Sequence, residues 1–250
     1  MRIAVIADIH GNDLALEAVL ADIDRQGIDD VVNLGDHLSG PLNAARTADL
    51  LMTRNFPSVL GNHDRYLISK FPAAMGASDR AAFDQLSKDH LEWLRGLRPT
   101  LVHHDEILLC HGTPDSDETY WLEDLTPDGV VHMADRRTIE RRLGHADFPV
   151  IVCAHTHIPR MIRLPKGPLV VNPGSVGCPG YDDDVPVPHQ VENGTPDASY
   201  AILEKSAGNW QVSFRRVGYD HRAMASLAAQ RGRAEWASAL GSGWLDVPLS

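Results

Sequence analysis

The chain has 250 residues, 43% of them apolar, and sets 34 acidic side chains against 23 basic ones for a formal net charge of −11. Such a surface repels polyanions, which excludes non-specific nucleic-acid or anionic-membrane binding as an expectation and leaves small acidic substrates drawn in by a local charge. The length admits one large domain or two small ones, the apolar fraction suits a sizeable core, and no apolar stretch approaches the ~18 residues of a membrane span.

Residues 2–7 form a continuous apolar run, the pattern of a strand buried on both faces. The run is too short for a signal peptide and stops at Asp8. Leu16, Val19, Leu20 and Ile23 then follow helical spacing, with Asn12 or Asp13 as the cap and Gly27 as the end. A strand over Val31–Leu34, a helix from about Pro41 to Arg54 and a short strand Ser58–Leu60 complete a β-α-β-α-β opening, which implies parallel strands. Residues 78–97 read as one amphipathic helix carrying Phe83, Leu86, Leu91 and Leu94.

Beyond it the pattern predicts hairpins over 100–110 and 162–171, with an apolar strand at 149–153 between them. A further hairpin over 199–217 turns at Ala207-Gly208-Asn209, and a helix runs from about 220 to 240. The second half thus reads as mostly antiparallel. Residues 178–198, with four prolines and the run Asp182-Asp183-Asp184, read as a long loop whose acids are solvated. Residues after Gly241 read as a loose tail. The expected fold is of the α/β (α+β) class, a two-layered mixed β-sheet sandwich flanked by helices and forming one domain over residues 1–250. Cys110, Cys153 and Cys178 are sparse and lack C-x-x-C spacing. They predict reduced, buried thiols and a cytoplasmic protein.

Five short polar blocks stand where apolar runs stop: Asp8-Ile9-His10, Gly35-Asp36, Gly61-Asn62-His63-Asp64, His111-Gly112 and His155-Thr156-His157. Residues i and i+2 at a strand end share a face, so each Asp-x-His or His-x-His pair can reach one ion. Alone, an Asp-x-His or a Gly-Asp is commonplace. Jointly the blocks offer two carboxylates, one amide oxygen and four imidazoles. That set suffices for two divalent cations with one carboxylate shared. His63 is a candidate proton donor, and Asp64 the candidate partner of its other ring nitrogen. His37 follows Asp36 closely enough to line a cleft, Arg65 follows the His63 block and would face phosphate, and His103 and His104 read as solvated turn residues.

The order of these blocks resembles the calcineurin-like metallophosphoesterase superfamily, whose pattern is Asp-x-His, Gly-Asp, Gly-Asn-His-Asp/Glu, His and Gly-His-x-His. Asn172-Pro173-Gly174-Ser175-Val176-Gly177 and Tyr200-Ala201-Ile202-Leu203-Glu204 resemble its small bacterial and archaeal phosphodiesterase branch. The resemblance implies a double β-sheet sandwich with a first metal on Asp8, His10, Asp36 and His157. It implies a second on Asp36, Asn62, His111 and His155, with His63 as proton donor or phosphate contact. Ala154 stands where the family usually has glycine, and Cys178-Pro179-Gly180 lacks the arginine that relatives often carry.

The expected activity is hydrolysis of a small phosphorylated substrate, as a phosphodiesterase or phosphatase, by a hydroxide shared between the metals. Variants are a protein phosphatase, a dinucleoside-tetraphosphate hydrolase and a catalytically silent scaffold. Manganese is the first choice of metal, with iron, zinc or nickel compatible with mixed oxygen and nitrogen donors. No phosphate-binding G-x-x-x-x-G-K-[ST] loop is present.

Overall fold

The computed structural model describes residues 1–246. In chain order its elements begin with β1 (Arg2–Ile6), α1 (Asp13–Arg25), β2 (Val31–Asn33), α2 (Ala44–Arg54) and α3 (Asn62–Ser69). After a short 3-10 turn come α4 (Ala77–Phe83), α5 (Lys88–Gly96), β3 (Leu101–His103), β4 (Ile107–Leu109), β5 (Glu123–Leu125), β6 (Val131–Met133), α6 (Arg136–Arg142) and β7 (Val150–Val152). The chain continues through β8 (Arg160–Arg163), β9 (Leu169–Asn172), β10 (Gly180–Asp183), β11 (His189–Glu192), β12 (Ala198–Ser206), β13 (Asn209–Val217), α7 (His221–Gln230) and α8 (Ala234–Ser242).

Two mixed sheets face each other, one in the order β13-β12-β1-β2 and the other β3-β4-β7-β9-β8. Alternation along each strand explains why the runs are apolar on every residue. Ile3, Val5, Leu109, Val152, Val171 and Leu203 fill the layer between the sheets. Ala4 and Ile6 point the other way, onto Leu16, Val19, Leu20 and Ile23 of α1. Leu108, Ile151 and Val170 pack outward against Trp121 and Ile139. Strands covered on both faces lose nothing by carrying apolar residues at consecutive positions.

Several boundaries differ from the sequence expectations, each for a local reason. Asn12 is the cap of α1, its side chain accepting from the Ala15 N–H. The second helix begins at Ala44 rather than Pro41, because Gly40 at φ +156° and the Asn43 N–H bonded to Gly11 O hold that stretch as a loop. Residues 78–97 are two helices rather than one. Ser87 starts the second, its hydroxyl taking the His90 N–H while its own N–H donates to His90 Nδ1. The C-terminal helix likewise breaks, at Gly232 with φ +75°.

The second half is mostly antiparallel, as expected, in β3–β4, β5–β6, β8–β9, β10–β11 and β12–β13, but β4, β7 and β9 pair in parallel at the centre of their sheet, and β12 and β13 return to the first sheet. Residues 178–198 are not a loop but carry the antiparallel pair β10–β11. Leu245, expected in a loose tail, is buried and donates its N–H to Glu192, while residues 247–250 lie outside the described residues. No helix among the described residues is long and apolar enough to cross a membrane. The three cysteines are free and buried.

Candidate metal centre

The blocks Asp8-Ile9-His10, Asp36, His111 and His155-Thr156-His157 follow β1, β2, β4 and β7 respectively, and Asn62 opens α3. Six of the seven expected ligands therefore stand at the carboxyl ends of parallel strands, one end of the sandwich, and Asn62 joins them from the start of α3. Five of them (Asp8, His10, Asp36, His155 and His157) have φ between +52° and +73°. A left-handed backbone at a non-glycine residue costs about 1–3 kcal/mol and persists where the surroundings over-determine it, commonly at functional sites. Ala154 is not among the positive-φ residues, so the methyl group there is accommodated without strain.

Two glycines let the loops meet. A Cβ at Gly61 would lie 2.2 Å from Asp36 Oδ1, and one at Gly35 would lie 2.5 Å from Gly61 N. Asp64, fully buried, locks this crossing by accepting from the backbone N–H groups of Asp36 (2.8 Å), His37 (3.0 Å) and Gly61 (3.0 Å). Its remaining bond goes to His37 Nδ1 at 2.7 Å, not to His63, which corrects the expected pairing. His37 is fully buried against Trp93 and stays out of the cleft.

The partner of His63 is Asp79 in α4, with Nδ1 and Oδ1 2.7 Å apart, and Ser39 donates to the same oxygen at 2.7 Å. Asp79 escaped the sequence reading because it sits inside a helix. The available signal was a carboxylate three and four residues ahead of Ala82 and Phe83, on the apolar face. Arg65 likewise departs from expectation: its guanidinium is held by Asp117 and Glu118 at 2.7–2.9 Å.

The donor set can be tested for fit to cations from its hydrogen bonds. Asp8 is fully buried, and neither of its carboxylate oxygens has a hydrogen-bond partner. Desolvation pushes its pKa well up, so an ionised Asp8 needs a compensating charge. His10 Nδ1 donates to Ser39 O and His157 Nδ1 donates to Cys178 O, both at 2.7 Å. Each neutral ring then carries its lone pair on Nε2, yet the two Nε2 atoms face each other at 3.2 Å. Two lone pairs at that separation call for a cation between them. Burial holds both imidazoles below their ordinary pKa, the neutral state a metal requires.

The other half is similar. His111 Nδ1 donates to Leu34 O at 2.7 Å, and its Nε2 lies 3.1 Å from Asn62 Oδ1 and 3.3 Å from Asp36 Oδ2. Burial opposes a charge on that ring, but the Asp36 and Asp8 carboxylates outweigh it and lift the pKa to about 10. A proton thus occupies the position a cation would take. His155, lowered to about 3 by burial and by His111, donates Nε2 to Glu118 O and keeps Nδ1 as its lone pair. Asp8, His10 and His157 form one compact ligand group and Asp36, His111 and His155 another. Asp36 Oδ2 lies 3.8 Å from His10 Nε2 as well as 3.3 Å from His111 Nε2, between the two groups.

The centre floors a cleft of 720 Å³ walled by Tyr66, Tyr120, Tyr181 and Trp236 and reached by Arg142 and Arg233. Asp182 and Asp183, expected in solvent, line it from β10. Arg142 is committed to Asp124 and to two backbone carbonyls, whereas Arg233 pairs with Glu235 and Ser78. Neither arginine was legible as a site residue, since nothing local in sequence marks α6 or α8 as a cleft wall.

Residues 1–193 match the family described as the calcineurin-like phosphoesterase superfamily domain. An uncharacterized protein of Methanocaldococcus jannaschii is 27% identical over 257 aligned residues, covering 94% of each chain. The crystal structure of a metallophosphoesterase from Sphaerobacter thermophilus superposes with a TM-score of 0.75 at 27% identity, covering 98% of this chain and 100% of that one. With the match running from β1 through β11 and the ligand-bearing strand ends inside it, the chain belongs to the calcineurin-like phosphoesterase superfamily.

Proposed function

We propose that the protein hydrolyses a phosphoric ester of a small molecule with two divalent cations held by its seven-residue centre. The observation that carries this reading is the buried Asp8 carboxylate without a donor, beside the opposed Nε2 atoms of His10 and His157. Asp8, His10, Asp36 and His157 would hold one ion, and Asp36, Asn62, His111 and His155 the other. When bound, such a pair acidifies water toward neutrality and neutralises charge on the phosphate oxygens. Manganese suits the mixed oxygen and nitrogen donors, as iron, zinc or nickel also would.

The chain's own residues supply the rest. His63 is one-third exposed and stands on the cleft side of the centre, its backbone N–H fixed on Asp36 Oδ1 at 3.0 Å. Burial opposes its charge, but the Asp36 charge and the bond to Asp79 raise its pKa to about 9. Cations on Asp36 would remove the first of these two raising influences, and the Asp79 carboxylate on Nδ1 remains to hold the ring protonated, so that its Nε2 proton can pass to the departing alkoxide, a role worth about 10²–10⁴ in rate. The tyrosines and Trp236 shape a pocket of the size that takes small ligands.

Hydrolysis of bis-p-nitrophenyl phosphate by manganese-reconstituted protein tests the reading directly. Turnover should appear with manganese and vanish in Asp36→Asn. Undiminished turnover after exhaustive dialysis against EDTA contradicts it.

A further inference from the structure

At the opposite end of the sandwich a second cluster of metal-ligating side chains is assembled from both sheets. Asp30 immediately precedes β2, whereas the centre's Asp36 follows it, so the two lie beyond opposite ends of that strand. His103 ends β3 and His104 opens the turn into β4, whose far end carries His111. His103 Nε2 lies 2.9 Å from one oxygen of Asp30, and His104 Nε2 lies 2.7 Å from the other. The two rings are 4.0 Å apart and tilted by 49°.

We propose that Asp30, His103 and His104 bind a zinc-class divalent cation, separate from the centre and bridging the two sheets. Two imidazoles and a carboxylate with an open fourth position are a recurrent zinc ligand set, and tetrahedral bonds of ~2.0–2.1 Å place ligand atoms about 3.3 Å apart. The three ligand atoms here already lie within 4.8 Å of one another, as do those of each group of the centre. His103 is largely enclosed, with its side chain 13% exposed, while Asp30 at 29% and His104 at 43% leave the fourth position to water.

The backbone singles out the same residue. Four histidines have positive φ among the described residues, namely His10, His104, His155 and His157. Three belong to the centre and the fourth is His104. His104 and Asp105, at φ +51° and +59°, are the central pair of a hairpin turn for which Asn-Gly is the favoured sequence. A histidine at the first of these positions brings an imidazole to Asp30 that asparagine could not.

Zinc titrated into metal-free His104→Ala should bind with one ion per chain fewer than the wild type. Hydrolysis of bis-p-nitrophenyl phosphate with manganese should stay within about twofold, since the cluster is remote from the cleft. The count must also be independent of the proposed catalysis. Asp36→Ala with His10→Ala, which disables the centre, should still take up one zinc, placed between Asp30 and the two rings by anomalous scattering at the zinc edge. In that background, zinc at a hundredfold its dissociation constant should raise the melting temperature by about 5–10 °C, and adding His104→Ala should abolish the rise. If the triad is only hydrogen-bonded, the disabled chain shows no zinc peak at Asp30 and no thermal shift, and the proposal is overturned whether or not the centre is active.

Discussion

His63 and Asp79 come from different helices, α3 and α4, and Ser39 donates to the same Asp79 oxygen that faces His63 Nδ1. His63 touches Asp36 through its backbone N–H alone, so its imidazole can be removed without removing a ligand. His63→Ala should keep both cations while losing about 10²-fold or more in turnover, with a smaller loss for p-nitrophenolate than for an alkoxide leaving group. Metal content and rates on the two leaving groups check this, and a joint fall of both would make His63 a ligand. The pH dependence follows from the same pair. The pKa is raised to about 9 in the metal-free chain and cations on Asp36 would bring it down, so the acid is present at low pH and lost as pH rises, and turnover of poor leaving groups should fall on the alkaline side, at or below about pH 9. Asp79→Asn removes one of the influences holding the proton on, which should move that alkaline limb to lower pH with metal content unchanged. The seven proposed ligands were readable from sequence because their blocks end apolar runs, a position where a polar residue needs a reason. Asp79 was not, because a carboxylate in a helical stretch has solvent as its default partner.

At the scale of elements, the strand ends are useful because of how tightly the loops after β2 and before α3 approach. Gly61→Ala would drive its methyl group into the Asp36 carboxylate, and the nearest atoms include backbone that cannot swing aside. The expected result is loss of both cations and of activity with the fold retained, measured as metal content beside an unchanged circular-dichroism spectrum. The strands of both layers were legible because burial on two faces leaves an unbroken apolar signature, as in Ile3–Ala7 and Val150–Val152. The hairpin β10–β11 was not. Its residues Gly180, Asp182, Asp183 and His189 carry no apolar alternation, and Gly180 to Asp183 line the cleft. The helix breaks at Ser87 and Gly232 were present as local signals but were outweighed by the longer hydrophobic period around them.

For the whole molecule, the family match ends at residue 193, while β12 and β13 complete the first sheet and α7 and α8 bring Arg233 and Trp236 to the cleft. The C-terminal segment is thus continuous with the site rather than appended to it. Burial pushes the pKa of Asp8 up in the metal-free chain, and a cation that favours its carboxylate would bind the folded state alone, so cations and fold should be linked. Manganese at a hundredfold its dissociation constant should raise the melting temperature of metal-free protein by about 5 °C or more, and Asp36→Ala should remove most of the gain.

The most direct measurement is anomalous diffraction at the manganese edge from crystals grown with the metal. Two peaks about 3.5–4 Å apart, with Asp36 between them and His10 and His111 on opposite sides, are the expected result. A single peak, or two peaks that do not share Asp36, would contradict the two-cation centre.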